Sequence, residues 1–141
     1  MAKRGRGRST KVVVKKPHEF GRFLSSELET YHQDLVEQLN IIAEDSAKEL
    51  VKKTKATAPK RFGDFAKAIT YKKQRGVYGD VRCIWGAKAP KHRLTHLLVK
   101  GHAKAGGGRV DGSDFLHKAL DEVRPEYERK VEEAIENAAR R

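Results

Sequence analysis

The stretch Ile69-Thr70-Tyr71-Lys72-Lys73-Gln74-Arg75-Gly76-Val77-Tyr78-Gly79-Asp80-Val81-Arg82-Cys83-Ile84-Trp85-Gly86 decides the fold. It starts and ends on β-branched and aromatic residues, and Arg75 to Asp80 between them carries two glycines, the composition of a turn. The pattern predicts two antiparallel strands. Strand side chains alternate between faces, so Val81, Cys83 and Trp85 share one face. That face is expected to be core, with Cys83 an inert buried thiol.

Outward from the hairpin the period changes. Upstream, Leu24, Leu28, Tyr31, Leu35, Leu39, Ile42, Ala43, Leu50 and Val51 recur at three- and four-residue steps. This predicts one long amphipathic helix over residues 18–54, stopped by Pro59. A helix of that length is long for a small sheet, so it should meet more than one neighbour. Residues 62–68 predict a short helical turn. Downstream, Leu94, Leu97 and Leu98 fall on one side if residues 91–99 are helical, which is the expectation for that short segment. Residues 101–112 hold five glycines and predict a mobile loop. Residues 113–139 predict a second long helix capped by Ser113 or Asp114, with Pro125 kinking or breaking it. The pattern thus sets a helical segment on each side of the hairpin. Residues 1–16 (with Lys3-Arg4-Gly5-Arg6-Gly7-Arg8) read as a flexible basic arm, in which Val12-Val13-Val14 could pair with a neighbour. Residues 17–141 read as a single domain, a size that suits 141 residues in all.

Charge is segregated along this plan. The net charge is +12. Residues 1–16 hold seven Lys/Arg and no acid, and residues 60–110 hold thirteen against two acids, Asp64 and Asp80. The two helical segments are acid-rich, with five bases against eight acids over residues 17–59 and six against nine over 111–141. A basic centre with so few compensating acids points to a polyanion or an acidic protein surface as partner. Hydrophobic residues make up 38%, below the roughly 45–50% of an average globular chain, so either some segments are arms rather than core or burial is completed against further copies of the chain.

Several chemistries fail on spacing. A single cysteine excludes an internal disulfide and a cysteine-based zinc site. His92 and His96 stand four apart, but Arg93 occupies the place where a metalloprotease needs glutamate. Partly buried, hydrogen-bonded histidines are the expected alternative, and no metal or other cofactor is expected. Gly106-Gly107-Gly108-Arg109 lacks the Lys-Ser/Thr of a nucleotide loop. No nucleophile sits beside a base, so the chain reads as non-enzymatic. No apolar run approaches the roughly 20 residues of a membrane span, and none follows the basic start as in a secretory signal, so a membrane partner is not expected and a cytosolic origin is.

A further pattern is recognisable in Arg93-Leu94-Thr95-His96-Leu97-Leu98, Gly101-His102-Ala103, Gly107-Gly108-Arg109-Val110, Phe115-Leu116 and Ala119-Leu120. With the upstream Ala58-Pro59, Gly63-Asp64-Phe65 and Ile69, it resembles the small tail-completion, or head–tail joining, proteins in the neck of long-tailed bacteriophages. The resemblance covers roughly residues 45–125. It implies an α+β fold, a small antiparallel sheet flanked by a long N-terminal helix and a C-terminal helix. It also implies a virion protein, assembled in the host cytoplasm, that forms a six-fold or twelve-fold ring between the head portal and the tail tube, with packaged DNA passing through the lumen. Neighbouring neck, portal-side or tail-tube proteins would be its partners. On that reading Lys88, Lys91, Arg93, Lys100, Lys104 and Arg109 face the lumen or a partner. Gly101, His102, Gly106, Gly107 and Gly108 form a docking loop, and Arg4, Arg6 and Arg8 make arm contacts. The alternative is a sequence-nonspecific nucleic-acid-binding protein, which shares the charge and predicts steeply salt-dependent DNA affinity.

Overall fold

The computed structural model describes residues 16–60 and 63–140. The expectations for Arg4, Arg6, Arg8 and Val12–Val14 lie outside the described residues. Helix α1 runs Pro17–Thr57 and helix α2 Gly63–Ala68. Strands β1 (Ile69–Arg75) and β2 (Val81–Ala87) follow, then a 3-10 turn at Lys91–Leu94 and helix α3 at Thr95–Lys100. Strands β3 (Gly101–Ala103) and β4 (Arg109–Asp111) lead into helix α4, Phe115–Ala139. The α+β plan is as expected: a long N-terminal helix, small antiparallel sheets and a C-terminal helix.

Proline sets both limits of α1. Pro17 occupies the first turn, where its missing N–H costs nothing. Pro59 disfavours helical geometry in the residue before it, and Ala58 leaves the helix with ψ 148°. The 41 residues between span about 60 Å at about 1.5 Å each.

The β1–β2 register pairs Ile69 with Ala87, Tyr71 with Trp85, Lys73 with Cys83 and Arg75 with Val81, so these eight side chains share one face. That face turns towards α1. Its turn closes through the Gly76 N–H, which donates to the Asp80 carbonyl at 2.8 Å. Asn40 on α1 clamps the turn from both sides. Its amide donates to the Gly79 carbonyl at 2.8 Å, and its side-chain oxygen accepts from the Val81 N–H at 2.9 Å.

The core gathers Ala58, Phe65, Ile69 and Phe115, with Val51, Trp85, Leu94, Leu98 and Leu116 packed around them. Phe115 meets the edge of Phe65 at 6.4 Å and the tilted ring of Trp85 at 6.2 Å, both favourable aromatic geometries. Thr54 is fully buried at its margin. Its hydroxyl donates to the Leu50 carbonyl at 2.7 Å and accepts the Trp85 indole N–H at 3.0 Å, which satisfies both groups. Helix α4 lies along α1 on Ala119, Val123, Ala134 and Ala138. Small residues at that contact let the two helices come close.

Two expectations are corrected. Cys83 is half-buried, because α1 and α4 leave an opening of about 380 Å³ over it, lined also by Ala47, Leu50, Val123 and Tyr127. Burial still raises its thiol pKa. Helix α4 is not broken at Pro125, which sits inside it on the exposed side, where the carbonyl it orphans can bind water. Asp114, one of the two residues expected at the cap of α4, takes that position, without a side-chain capping bond.

Candidate interaction surfaces

The glycine-rich segment is a closed miniature hairpin rather than a loop. β3 and β4 pair Gly101 with Asp111, His102 with Val110 and Ala103 with Arg109. Two of its glycines answer a steric demand. A Cβ on Gly101, whose φ is +78°, would lie 2.2 Å from the Val110 carbonyl oxygen. A Cβ on Gly112 would lie 2.1 Å from the Val99 carbonyl oxygen. Both values are far inside contact distance, so only glycine lets the two backbones cross here. The Ser113 N–H then donates to the Leu98 carbonyl at 2.8 Å and fastens the hairpin to α3. Gly106, by contrast, has open space around it.

This hairpin, α3 and the end of α1 enclose a groove of about 830 Å³. Pro59, Leu94, Leu97, Leu98 and Val110 supply its apolar lining, and His102, Lys104, Asp111 and Ser113 its polar lining. From Lys88 to Ser113 the chain carries six Lys/Arg and one acid, Asp111. Lys88, Arg93, Lys100, Lys104 and Arg109 are exposed and Lys91 is half-buried. Arg109 donates to the Lys100 carbonyl at 3.0 Å. Among the described residues none of the six forms an ion pair, so their charge is uncompensated within the chain.

Other basic residues of the centre are engaged. Lys73 reaches Glu44 on α1 at 2.7 Å, and the Tyr71 hydroxyl donates to the same carboxylate at 3.2 Å. Those two hydrogen bonds, Lys73 first, hold the Glu44 pKa down at about 2. Burial and the Glu44 contact raise the Tyr71 pKa. Lys53 ties α1 to α4 through Glu122 at 2.8 Å. Asn40, Glu44 and Thr54 hold the sheet onto α1, and none of them was signalled by a motif. Their only trace in the sequence is a polar residue beside an apolar helical stripe.

The histidines are exposed, contrary to the partly buried positions expected, because the chain changes from 3-10 turn to α3 between His92 and His96 and turns Leu94, Leu98 and Val99 inward instead. Among the described residues no three His, Cys, Asp or Glu side chains gather to hold a metal, and no helix is long and apolar enough to cross a membrane.

A second surface lies at the other end of the molecule. Every residue from Lys16 to Asp34 is exposed. The last turns of α4 lie beside Gln38, Ile41 and Ile42, so α1 continues past the end of α4, and the described residues leave Phe20, Leu24 and Leu28 of its apolar stripe exposed. Phe20, Leu24 and Leu28 are 56%, 44% and 58% exposed there, in line with Leu35, Leu39 and Ile42, which the fold does cover in part. About 18 residues project, or about 27 Å.

A family model described as "Bacteriophage HK97-gp10, putative tail-component" matches residues 22–104. The match takes in most of α1, the β1–β2 hairpin and α3. No curated protein and no solved structure matches the chain.

Proposed function

The chain belongs to this HK97-gp10-like family of phage tail components, and from that premise we propose that it is a structural protein of the head–tail junction that closes into a ring around the passing DNA. The observation that carries the reading is the projecting half of α1. Phe20, Leu24 and Leu28 form an apolar stripe that the rest of the described chain leaves uncovered. A stripe of that kind calls for a protein partner. Contacts between unlike surfaces of identical chains generate rings when the rotation closes, and six or twelve copies would suit the neck. Residues 17–141 act as one folded unit in this account, and residues 1–16, with seven Lys/Arg and no acid, supply further basic contacts. The six uncompensated cations between Lys88 and Arg109 face either the lumen or an acidic neighbour, which gives the protein a role in joining and no role in catalysis.

The test is particle assembly with and without the gene product. Micrographs should show filled heads and finished tails that remain separate when it is missing. Joined, infectious particles in its absence would overturn the reading.

The uncompensated cations also favour a second reading, a sequence-nonspecific nucleic-acid-binding protein. It predicts tight DNA binding by the isolated chain that falls steeply with salt. A lumen protein has no such requirement, since tight binding would resist DNA passage.

A further inference from the structure

The two surfaces left open by the fold complement one another. One is the projecting half of α1, an apolar stripe of Phe20, Leu24 and Leu28 with Glu19, Glu27 and Glu29 against a lone Arg22 between residues 17 and 33. The other is the groove of about 830 Å³ between Pro59, α3 and the β3–β4 hairpin, lined by Leu94, Leu97, Leu98 and Val110 with Lys104 and Asp111 at its polar side, in a segment of six Lys/Arg against that one acid. Resting on the ring reading above, we propose that the projecting half of α1 of one copy seats in the Leu94–Leu97–Val110 groove of the next.

Length excludes the alternative of a chain serving its own groove. Pro59 lines the groove just beyond the end of α1, and Leu24 lies 35 residues earlier on the same continuous helix. At about 1.5 Å per residue the two are about 50 Å apart. The stripe and groove therefore meet only between molecules. Because they are different surfaces at opposite ends of α1, the contact is head-to-tail, and an open string of copies leaves one free stripe at one end and one free groove at the other until the circle closes. Charge favours this pairing over stripe against stripe. Two projecting helices laid together would bring Glu19, Glu27 and Glu29 of both copies into one seam, whereas the groove offers Lys104 in its lining, with Lys100 and Arg109 nearby in the chain, and among the described residues none of these three forms an ion pair. Continuity supports it too. The stripe extends the face of α1 that already receives α4, so a neighbour's apolar groove takes over where α4 stops.

The experiment mixes two full-length variants, both with Cys83→Ser, one carrying Leu28→Cys and the other Val110→Cys. Both positions are exposed, so each variant should retain the wild-type circular dichroism spectrum. A short bis-maleimide should join the mixed pair, with a yield at least tenfold above either variant alone. Lys104→Glu on the groove partner should lower that yield severalfold, and Glu27→Lys on the stripe partner should restore it. Cross-linking of Leu28→Cys to itself would show stripe against stripe and overturn the proposal. Absence of any cross-link from a chain that sediments as an oligomer would overturn the groove contact while leaving the ring intact. A chain that stays monomeric at every concentration, and on its neck partners, would remove both.

Discussion

Replacing Thr54 with valine removes one oxygen from a fully enclosed polar position and keeps the side-chain shape. The hydroxyl is buried to 0% exposure and bridges the Leu50 carbonyl at 2.7 Å and the Trp85 indole at 3.0 Å. The Leu50 carbonyl retains its helical bond, so its loss is small. The Trp85 N–H loses its partner, and an unsatisfied buried donor costs about 1–3 kcal/mol. Trp85 is only half-buried, and water can compensate part of this, which places the expected loss near 1.5 kcal/mol. Against a total of roughly 5–15 kcal/mol for a small domain, that is a large fraction. With urea slopes of about 1–3 kcal/mol/M, the unfolding midpoint should fall by roughly 0.5–1.5 M. Trp85 is the sole tryptophan, so its emission follows the transition and reports the broken bond directly. Thr54→Ser keeps the hydroxyl and loses one methyl group, so Trp85 emission in the folded state should stay as in the wild type. A Thr54→Val protein as stable as the parent, or a Thr54→Ser protein with the altered emission of Thr54→Val, would refute the reasoning.

Phe115→Ala removes the ring that touches both Phe65 and Trp85 and should cost about 3–5 kcal/mol, read as a drop in thermal midpoint. Gly112→Ala must push its Cβ off the Val99 carbonyl and should abolish hydrogen-exchange protection across Gly101–Asp111, whereas Gly106→Ala should leave it unchanged. Glu44 is held ionised by Lys73 and Tyr71, with its pKa lowered to about 2 from about 4.5. Its folded pKa is depressed, so its contribution is complete above about pH 4.5 and lost as pH falls towards 2; Glu44→Gln should flatten that part of the stability–pH curve. Asn40→Ala frees the Val81 N–H and the Gly79 carbonyl and should raise exchange at the 76–80 turn with little change at Phe115.

What was legible in the sequence was local. The β1–β2 hairpin shows in the alternation of Val81, Cys83 and Trp85 and in the Gly76–Gly79 turn, and α1 shows in its stripe and in Pro59 at its end. The glycines at 101 and 112 carried the wrong signal. Read locally they mean flexibility, but their cause is the close crossing of β3, β4 and the end of α3, a contact between backbones that composition does not encode. Pairing of charges was hidden for the same reason: Lys73 and Lys100 look alike in the chain, yet only Lys73 lies across from a carboxylate. The stripe of α1 is equally regular at Leu24 and at Leu39, and its period could not say that α4 stops near Gln38. That missing information, where the chain's own cover ends, is what marks the candidate interface.

The most direct test of the account is a symmetry-resolved reconstruction of the neck in assembled particles. The account predicts a closed ring of six or twelve copies of this chain around the DNA path, each copy's projecting α1 reaching its neighbour. Absence of the chain from the neck, or isolated copies making no contact with one another, would contradict it.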